Sequence, residues 1–173
     1  EFWKTVTMDK ANLLEQVLTL LNEHGIRYCV IGGVGVNAYV EPLVTLDLDL
    51  VVAVAQLEQV ASLLAEQFGV KRFPHSLNVS LPGSELRVQI QTDPRYSQFV
   101  ERAARREVLD LIMPVADVKD LLQGKIWAAE DPERRRSKRR KDLLDIERLI
   151  EAFPSLRADI PPAILQQLDQ LGG

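Results

Sequence analysis

Apolar residues are spaced along the chain in a way that predicts alternating helices and strands. They recur at helical spacing from Leu14 to Leu21, and Gly25 follows as the residue expected just past a helix end, so the first element is predicted to be an amphipathic helix. The next apolar run, Tyr28 to Ile31, is β-prone and stops at Gly32-Gly33. After these glycines, Val34 to Tyr39 has room only for a brief helix. The predicted order is therefore helix, strand, glycine turn and short helix.

Apolar and polar residues alternate from Thr45 to Val54, which predicts a strand with two chemically different faces. Its polar face carries Asp47 and Asp49. We expect this strand to lie in the interior of a sheet, with the two acids facing a cleft. Its other face, predicted to point into the core, carries Leu46, Leu48 and Leu50.

The remaining pattern places strands before helices. We therefore predict an α+β protein, in which a small mixed β-sheet flanked by helices covers residues 1–115 and a C-terminal helical portion, residues 116–173, packs on it. The predicted elements are a helix from Gln56 to Phe68, a hairpin of Leu77 to Leu81 and Leu86 to Gln91 around Pro82-Gly83-Ser84, a helix from Ser97 to Arg105, a strand from Val108 to Val115, and helices from Asp117 to Ala129, from Asp131-Pro132 to Pro154 and from Pro161-Pro162 onward.

Composition narrows the class of protein. The 173 residues, 46% apolar and 27% charged, are typical of an ordinary folded domain. No apolar run approaches the roughly 18 to 20 residues that a membrane helix requires, and the opening residues Glu1 to Lys4 lack the basic region and apolar core of a signal peptide. The single cysteine, Cys29, lies in an apolar run and is expected to be buried packing. We expect a cytoplasmic protein with no membrane partner.

Positive charge is concentrated in residues 134–141, although the net charge of the chain is −4. These cations would surround a helix instead of lining one stripe, which suits non-specific phosphate contact better than base reading. Nucleic-acid binding through this segment is therefore one candidate function. The basic segment consists of Arg134, Arg135, Arg136, Lys138, Arg139, Arg140 and Lys141.

The acid pair on the predicted strand has the spacing of a metal site. Side chains at i and i+2 project in the same direction from Cα atoms roughly 6.5 to 7 Å apart, so Asp47 and Asp49 can share one Mg²⁺. Burying two like charges this close is unfavourable unless a cation neutralises them. The alternative is an edge strand whose acids face solvent.

The glycine pair precedes the acids by a short stretch of chain. Gly32-Gly33 follows a predicted strand and opens a short helix, where backbone N–H groups can approach a phosphate without obstruction by Cβ. A plain tight turn is the alternative. A phosphate cradle followed by a carboxylate pair predicts that a nucleoside triphosphate (NTP) with Mg²⁺ lies between them.

Charged residues in the C-terminal part add two further candidates. Lys125 lies among apolar residues and needs an anionic partner, either a triphosphate or an internal aspartate. On the helix after Pro132, three residues fall on one face and Lys141 lies beside them. A salt-bridged solvent face would explain the same spacing. The three residues are Lys138, Asp142 and Asp145.

These runs together resemble a known family. The runs are Tyr28 to Tyr39, with its glycine pair; Thr45 to Val52, with its two aspartates; and, further on, Lys125 to Ala128 and Lys141 to Ile146, with its Lys-Asp-x-x-Asp pattern. They resemble the AbiEii/MenT-like group of the DNA polymerase β-type nucleotidyltransferase superfamily, over roughly residues 10–150.

The resemblance implies a Mg²⁺-dependent transfer of a nucleoside monophosphate from an NTP, such as ATP, to RNA (tRNA among them) or to a protein. It also implies a cognate antitoxin or toxin partner, because members of the group often work in toxin–antitoxin pairs. Among the residues, it implies catalytic roles for Asp47, Asp49 and Lys125, metal binding by Asp47 and Asp49, and nucleotide binding by Gly32, Gly33, Thr45, Lys138, Lys141, Asp142 and Asp145.

The chain departs from the group's pattern in two places. Leu43 stands where members usually have arginine, and the strand expected to carry a third carboxylate offers Gln89 or Gln91. A neutral amide binds Mg²⁺ less strongly than a carboxylate and cannot act as a base. A module of the same fold that binds a nucleotide or a partner without turnover, on the antitoxin side or as a regulatory subunit, is therefore the second candidate function.

Overall fold

A computed structural model of the protein describes residues 2–80 and 82–171, with side chains described from Leu13 onward. Within these residues the chain forms one mixed sheet flanked by helices, as predicted. The strands are β1 (Tyr28–Ile31), β2 (Asp47–Val52), β3 (Gly69–Phe73), β4 (Ser76–Ser80), β5 (Arg87–Gln91), β6 (Ala104–Val108) and β7 (Leu111–Val115). The helices are α1 (Phe2–Glu23), α2 (Gly32–Val36), α3 (Leu57–Ala65), α4 (Phe99–Arg102), α5 (Val118–Glu130), α6 (Arg136–Ala152) and α7 (Pro162–Leu171), with 3₁₀ turns at Val54–Gln56, Pro94–Tyr96 and Pro154–Asp159.

The strand that carries the acid pair lies at the centre of the sheet. The strand order is β3-β4-β5-β2-β1-β7-β6, so β2 has neighbours on both sides, antiparallel β1 and parallel β5. This confirms the predicted interior strand, although it is shorter than Thr45 to Val54. Leu48 and Leu50 are buried as expected. Leu46 is 40% exposed, because it lies one residue before the strand begins, and its predicted place in the core is wrong.

The core consists of two apolar clusters that meet at α5. One cluster fills the space around the sheet and includes Leu121, whereas the other lies among the C-terminal helices and includes Leu122. Val36 of α2 belongs to this second cluster, so the C-terminal helices pack directly against the start of the sheet region. The division of the chain at residue 115 stays a prediction. No helix in the described ranges is long and apolar enough to cross a membrane.

Two edge strands were missed by the sequence pattern. β3 was assigned no structure, and β6 begins where the predicted helix Ser97 to Arg105 should have continued. The observed helix α4 ends after one turn, and the chain then pairs with β7 through a tight turn at Leu109 and Asp110, whose φ angles are 54° and 63°. These are the two edge strands of the sheet, one at each end. An edge strand is formed by hydrogen bonding to its one neighbour and need not carry an apolar face.

The other elements follow the prediction with shifted ends. The hairpin is confirmed as the antiparallel pair β4 and β5, while Leu81 at the end of its first predicted strand lies outside the described residues. The short helix begins at Gly32 itself, two residues earlier than expected. α1 ends just before Gly25, which has the φ of +64° expected past a helix end.

Candidate functional site

One cleft collects the residues that the sequence singled out. It has a volume of about 220 Å³ and lies between the C-terminal end of β1, the polar faces of β2 and β5, and helices α5 and α6. The structure brings all of the predicted site residues to this cleft, although their individual roles stay predictions. They are Gly32, Gly33, Thr45, Asp47, Asp49, Lys125, Lys138, Lys141, Asp142 and Asp145.

The two glycines differ in what the fold demands of them. Gly32 has a φ of +66°, and a Cβ atom built there would collide with the Asp49 carboxylate. Only glycine satisfies both conditions. Gly33 has no such φ, and a Cβ atom there would lie 3.6 Å from Thr45 Oγ1, an ordinary contact. The first glycine is therefore required by the fold, while the second leaves space beside Thr45.

Asp47 and Asp49 are half-buried side chains on the cleft wall. Neither carboxylate accepts a hydrogen bond from the residues that the structure describes. Burial raises the pKa of Asp49 to about 6; the positive field of Lys125 opposes this rise, and the negative charge of Asp47 adds to it. The alternative of an edge strand with solvent-facing acids is thus wrong, because β2 is central and its acids are partly desolvated.

The neighbouring strand places an amide side chain beside the two acids. Gln89 of β5 is the register partner of Asp49, and it also lines the cleft. Among the described residues, no three histidine, cysteine or carboxylate side chains come together as a metal-binding group. Two carboxylates and one amide are nevertheless oxygen donors of the kind that Mg²⁺ accepts alongside water and phosphate oxygens. The residues present fit a magnesium site with few protein ligands.

Lys125 has internal aspartates as its partners. Its Nζ lies 2.8 Å from Asp145 Oδ2 and 3.2 Å from Asp142 Oδ1, and its side chain is only 11% exposed. Burial alone would lower the pKa of Lys125, but the carboxylates of Asp145 and Asp142 outweigh it and raise the pKa. The two aspartates on α6 therefore face the cleft as the counter-charges of a buried lysine, so α5 and α6 are joined by ion pairs.

Two arginines complete this network; the sequence indicated Arg134 only as part of the basic segment and gave Arg148 no role. Arg134 Nη2 lies 3.1 Å from Asp142 Oδ1, so the first cation of the basic segment turns inward. Arg148 Nη1 lies 2.8 Å from Asp145 Oδ1. The spacing of Arg148, one helical turn after Asp145, was the one signal that could have indicated this pair.

Arg148 also connects α6 to the loop before β2. Its Nη2 donates to the carbonyl oxygen of Glu41 at 2.6 Å and to Asn37 Oδ1 at 3.1 Å. Asn37 in turn exchanges two hydrogen bonds with the backbone of Leu43. An arginine therefore does reach the loop at Leu43, but it comes from a helix about 100 residues later in the chain.

The basic segment divides into three parts in the structure. Arg134, Lys138 and Lys141 line the cleft. Arg139 instead donates to the backbone carbonyls of residues 131, 132 and 134, so it fixes the turn before α6. The remaining members are exposed and form no ion pair with described residues; they are Arg135, Arg136 and Arg140.

Solved structures with a similar fold include nucleotidyltransferases and a nucleotidyltransferase-like protein. The crystal structure of ANT(2")-Ia in complex with adenylyl-2"-tobramycin has a TM-score of 0.63 at 9% identity, over 94% of this chain and 98% of that one. Lincosamide antibiotic adenylyltransferase LnuA, lincomycin-bound, has a TM-score of 0.56 at 12% identity, over 79% and 95%. An antigenic nucleotidyltransferase-like protein from Paracoccidioides brasiliensis has a TM-score of 0.51 at 18% identity, over 84% and 75%. The chain has a nucleotidyltransferase fold.

At identities this low, the likeness is one of fold. No protein-family model matches the sequence, and no curated protein matches it either. The finer resemblance to the AbiEii/MenT-like group therefore stays a prediction. Within the nucleotidyltransferase fold, the acid pair, the glycine pair and the ion pairs of α6 all face one cleft.

The two glycines offer a matched test of this geometry. Gly32→Ala should destabilise the protein by about 1 to 2 kcal/mol, the usual strain of a left-handed non-glycine residue, and by more if Asp49 has to move. Gly33→Ala should leave the free energy of unfolding unchanged or slightly raised, since it removes backbone freedom from the unfolded chain. Urea denaturation of both variants measures the difference. Equal stability of the two would contradict the described contact with Asp49.

Proposed function

We propose that this protein is a cytoplasmic, Mg²⁺-dependent nucleotidyltransferase that transfers a nucleoside monophosphate from an NTP to an RNA or protein acceptor. The observation that carries the proposal is the acid pair: Asp47 and Asp49 lie on the central strand, face the cleft and receive no hydrogen bond from described residues. Such a pair is favourable only when a cation neutralises it.

The chain's own residues have distinct tasks in this proposal. Asp47 and Asp49 would hold Mg²⁺, with the Gln89 amide oxygen as a weaker neighbour. In the proposed reaction, an acceptor oxygen bonds to the α-phosphorus, pyrophosphate leaves from the opposite side, and a bound Mg²⁺ would supply charge neutralisation. Backbone N–H groups at Gly32 and Gly33 would donate hydrogen bonds to phosphate oxygens, since no Cβ obstructs their approach.

Cations along α6 and α5 would balance the remaining phosphate charge. Lys138 and Lys141 line the cleft without an ion-pair partner among described residues, which leaves them available. Lys125 is held in ion pairs with the Asp142 and Asp145 carboxylates, so its contribution is a positive field and a fixed position for α6. Catalysis in such a site consists mainly of positioning.

The acceptor is proposed to dock near the basic segment. Arg135, Arg136 and Arg140 are exposed beside the cleft, and a polyanion such as tRNA would be attracted to them. The resemblance to the AbiEii/MenT-like group adds a cognate antitoxin or toxin as a proposed partner. Because ANT(2")-Ia was solved with adenylyl-2"-tobramycin, tobramycin belongs in an acceptor screen as a third class.

Two measurements test the proposal. Calorimetry with ATP, CTP, GTP and UTP should detect Mg²⁺-dependent binding of at least one of them, and the same NTP, labelled on its α-phosphate, should transfer label to an acceptor. Gly33→Val should abolish NTP binding in a folded protein by filling the space beside Thr45. Failure of all four NTPs to bind in the presence of Mg²⁺ would end the proposal.

The second candidate, a binding module without turnover, is favoured by one observation. The wall position beside Asp49 holds Gln89, which cannot accept a proton from an acceptor hydroxyl. If the protein is such a module, calorimetry should show the same Mg²⁺-dependent NTP binding, and the transfer assay should show no label on RNA, protein or tobramycin. The transfer assay therefore separates the two, with Gln89→Glu as the variant that should gain activity if only the carboxylate is missing.

A further inference from the structure

Tyr96 is a cleft residue that neither the sequence pattern nor the proposed function uses. It ends the 3₁₀ turn Pro94–Tyr96 that follows β5, and it is 5% exposed. Its ring contacts Phe99 and Trp127 edge-on, with centroid distances of 5.2 and 5.1 Å. Asp93 fixes the turn by accepting a hydrogen bond from Arg95 N at 3.0 Å. The ring therefore has one well-defined position on the cleft wall.

The hydroxyl of this ring has no partner in the described part of the chain. The other two tyrosines are paired, since Tyr28 Oη donates to Asn22 Oδ1 at 3.1 Å and Tyr39 Oη donates to Ala116 O at 2.8 Å. A buried tyrosine hydroxyl ordinarily finds such a partner. The Tyr96 hydroxyl is also not sealed inside the protein: the fully enclosed side-chain atom left without a partner among described residues is Arg139 Nε. Since Tyr96 lines the cleft, its hydroxyl is open to a ligand there.

The surroundings of the hydroxyl favour an anionic oxygen as that ligand. Burial raises the pKa of Tyr96 to about 12, so the phenol remains protonated and able to donate. The charges of Arg95 and Arg134 oppose this rise in the pKa, and those of Asp93 and Asp49 add to it. Tyr96 shares the cleft wall with Asp49 and with Arg134, in the space that the proposed function gives to the phosphate chain.

We propose that the Tyr96 hydroxyl donates a hydrogen bond to an oxygen of the phosphate chain of the bound NTP. This assignment rests on the proposed function, because it presumes that an NTP occupies the cleft. The aromatic cluster would hold the donor in place before the ligand arrives, so little side-chain freedom is lost on binding. Hydrogen bonds to charged groups are the stronger class, and one such bond corresponds to roughly tenfold in affinity or more.

Tyr96→Phe is the direct test, because it removes only the hydroxyl. With Mg²⁺ present, calorimetry with the bound NTP and with inorganic triphosphate should each show about tenfold weaker binding. The melting temperature should be unchanged, since the hydroxyl has no partner within the described chain. Tyr39→Phe is the matched control: it lies outside the cleft, loses the bond to Ala116 and should lower stability while NTP affinity stays the same.

The outcomes separate this inference from the function on which it rests. A parent protein that binds no NTP overturns both. A parent that binds NTP, together with a Tyr96→Phe variant of equal affinity, overturns only the role of Tyr96. A Tyr96→Phe variant that binds the NTP more weakly but binds inorganic triphosphate as the parent does would mean that the hydroxyl contacts the nucleoside. That result would overturn the phosphate assignment.

Discussion

Replacing both Asp47 and Asp49 by asparagine should lower nucleotide transfer by at least about a thousandfold and abolish the effect of Mg²⁺ on the melting temperature. Losing a bound metal removes several kcal/mol of transition-state stabilisation, and each 1.36 kcal/mol is about tenfold in rate. The parent should melt at a higher temperature with Mg²⁺ than without it, because the ion binds only the folded state. Thermal unfolding with and without Mg²⁺ and the label-transfer assay measure the two effects.

Without metal, the same double variant should be as stable as the parent or more stable. In the parent, burial and the neighbouring Asp47 keep the pKa of Asp49 at about 6, compared with 3.8 for an ordinary aspartate. The folded state therefore holds a proton that the unfolded state has released, and the parent loses stability as the pH rises from about 4 to 6. This loss should be absent from the variant, so the difference in stability between the two proteins should grow over that pH range.

Two results together would contradict this account. The double variant would be less stable than the parent at pH 7 without metal, and Mg²⁺ would still raise its melting temperature. The aspartates would then be structural, and the metal would bind elsewhere. Asp110→Asn is a useful control, because this carboxylate lies in the turn between β6 and β7, outside the cleft.

Lys125→Met should produce the largest loss of stability, about 3 kcal/mol, which is the lower end of the range for removing one partner of a buried ion pair. The lysine is surrounded by Asp142, which is fully buried, and by Asp145, and these carboxylates would lose a shared counter-charge. Arg134 and Arg148 still neutralise them in part, which keeps the expected loss at the lower end. Urea denaturation measures the change in free energy of unfolding.

Lys119→Met provides a matched control on the same helix, because Lys119 is exposed and forms no ion pair with described residues. The midpoint of its urea denaturation should equal that of the parent. Adding Asp145→Asn to Lys125→Met should recover part of the lost stability, since it removes one of the carboxylates left without its partner. A Lys125→Met variant as stable as Lys119→Met would mean that the described ion pairs do not stabilise the fold.

The local pattern of the chain was enough to predict how the acid pair and the glycine pair are placed. Alternation from Thr45 to Val54 predicted a strand whose acids share a face, and β2 has this arrangement. The glycine pair after the first strand was likewise located correctly. A strand's side-chain direction has a period of two, and a turn's demand for glycine is local, so both are readable from neighbouring residues.

The edge strands and the partner of Lys125 needed the tertiary structure. β3 and β6 show no apolar alternation, because most of their side chains are exposed and only pairing with β4 and β7 makes them strands. From the sequence, the anionic partner of Lys125 could be either a triphosphate or an internal aspartate. In the structure, the packing of α5 against α6 places the lysine in ion pairs with two aspartates.

The same distinction applies to Arg148 and Tyr96. Arg148 reaches a loop about 100 residues earlier in the chain, and Tyr96 reaches the cleft from a turn after β5. The sequence by itself determined which side chains share a face of one strand or helix. Which distant groups then meet depends on how helices and strands pack, and packing is decided by the fit of whole surfaces, which no local spacing encodes.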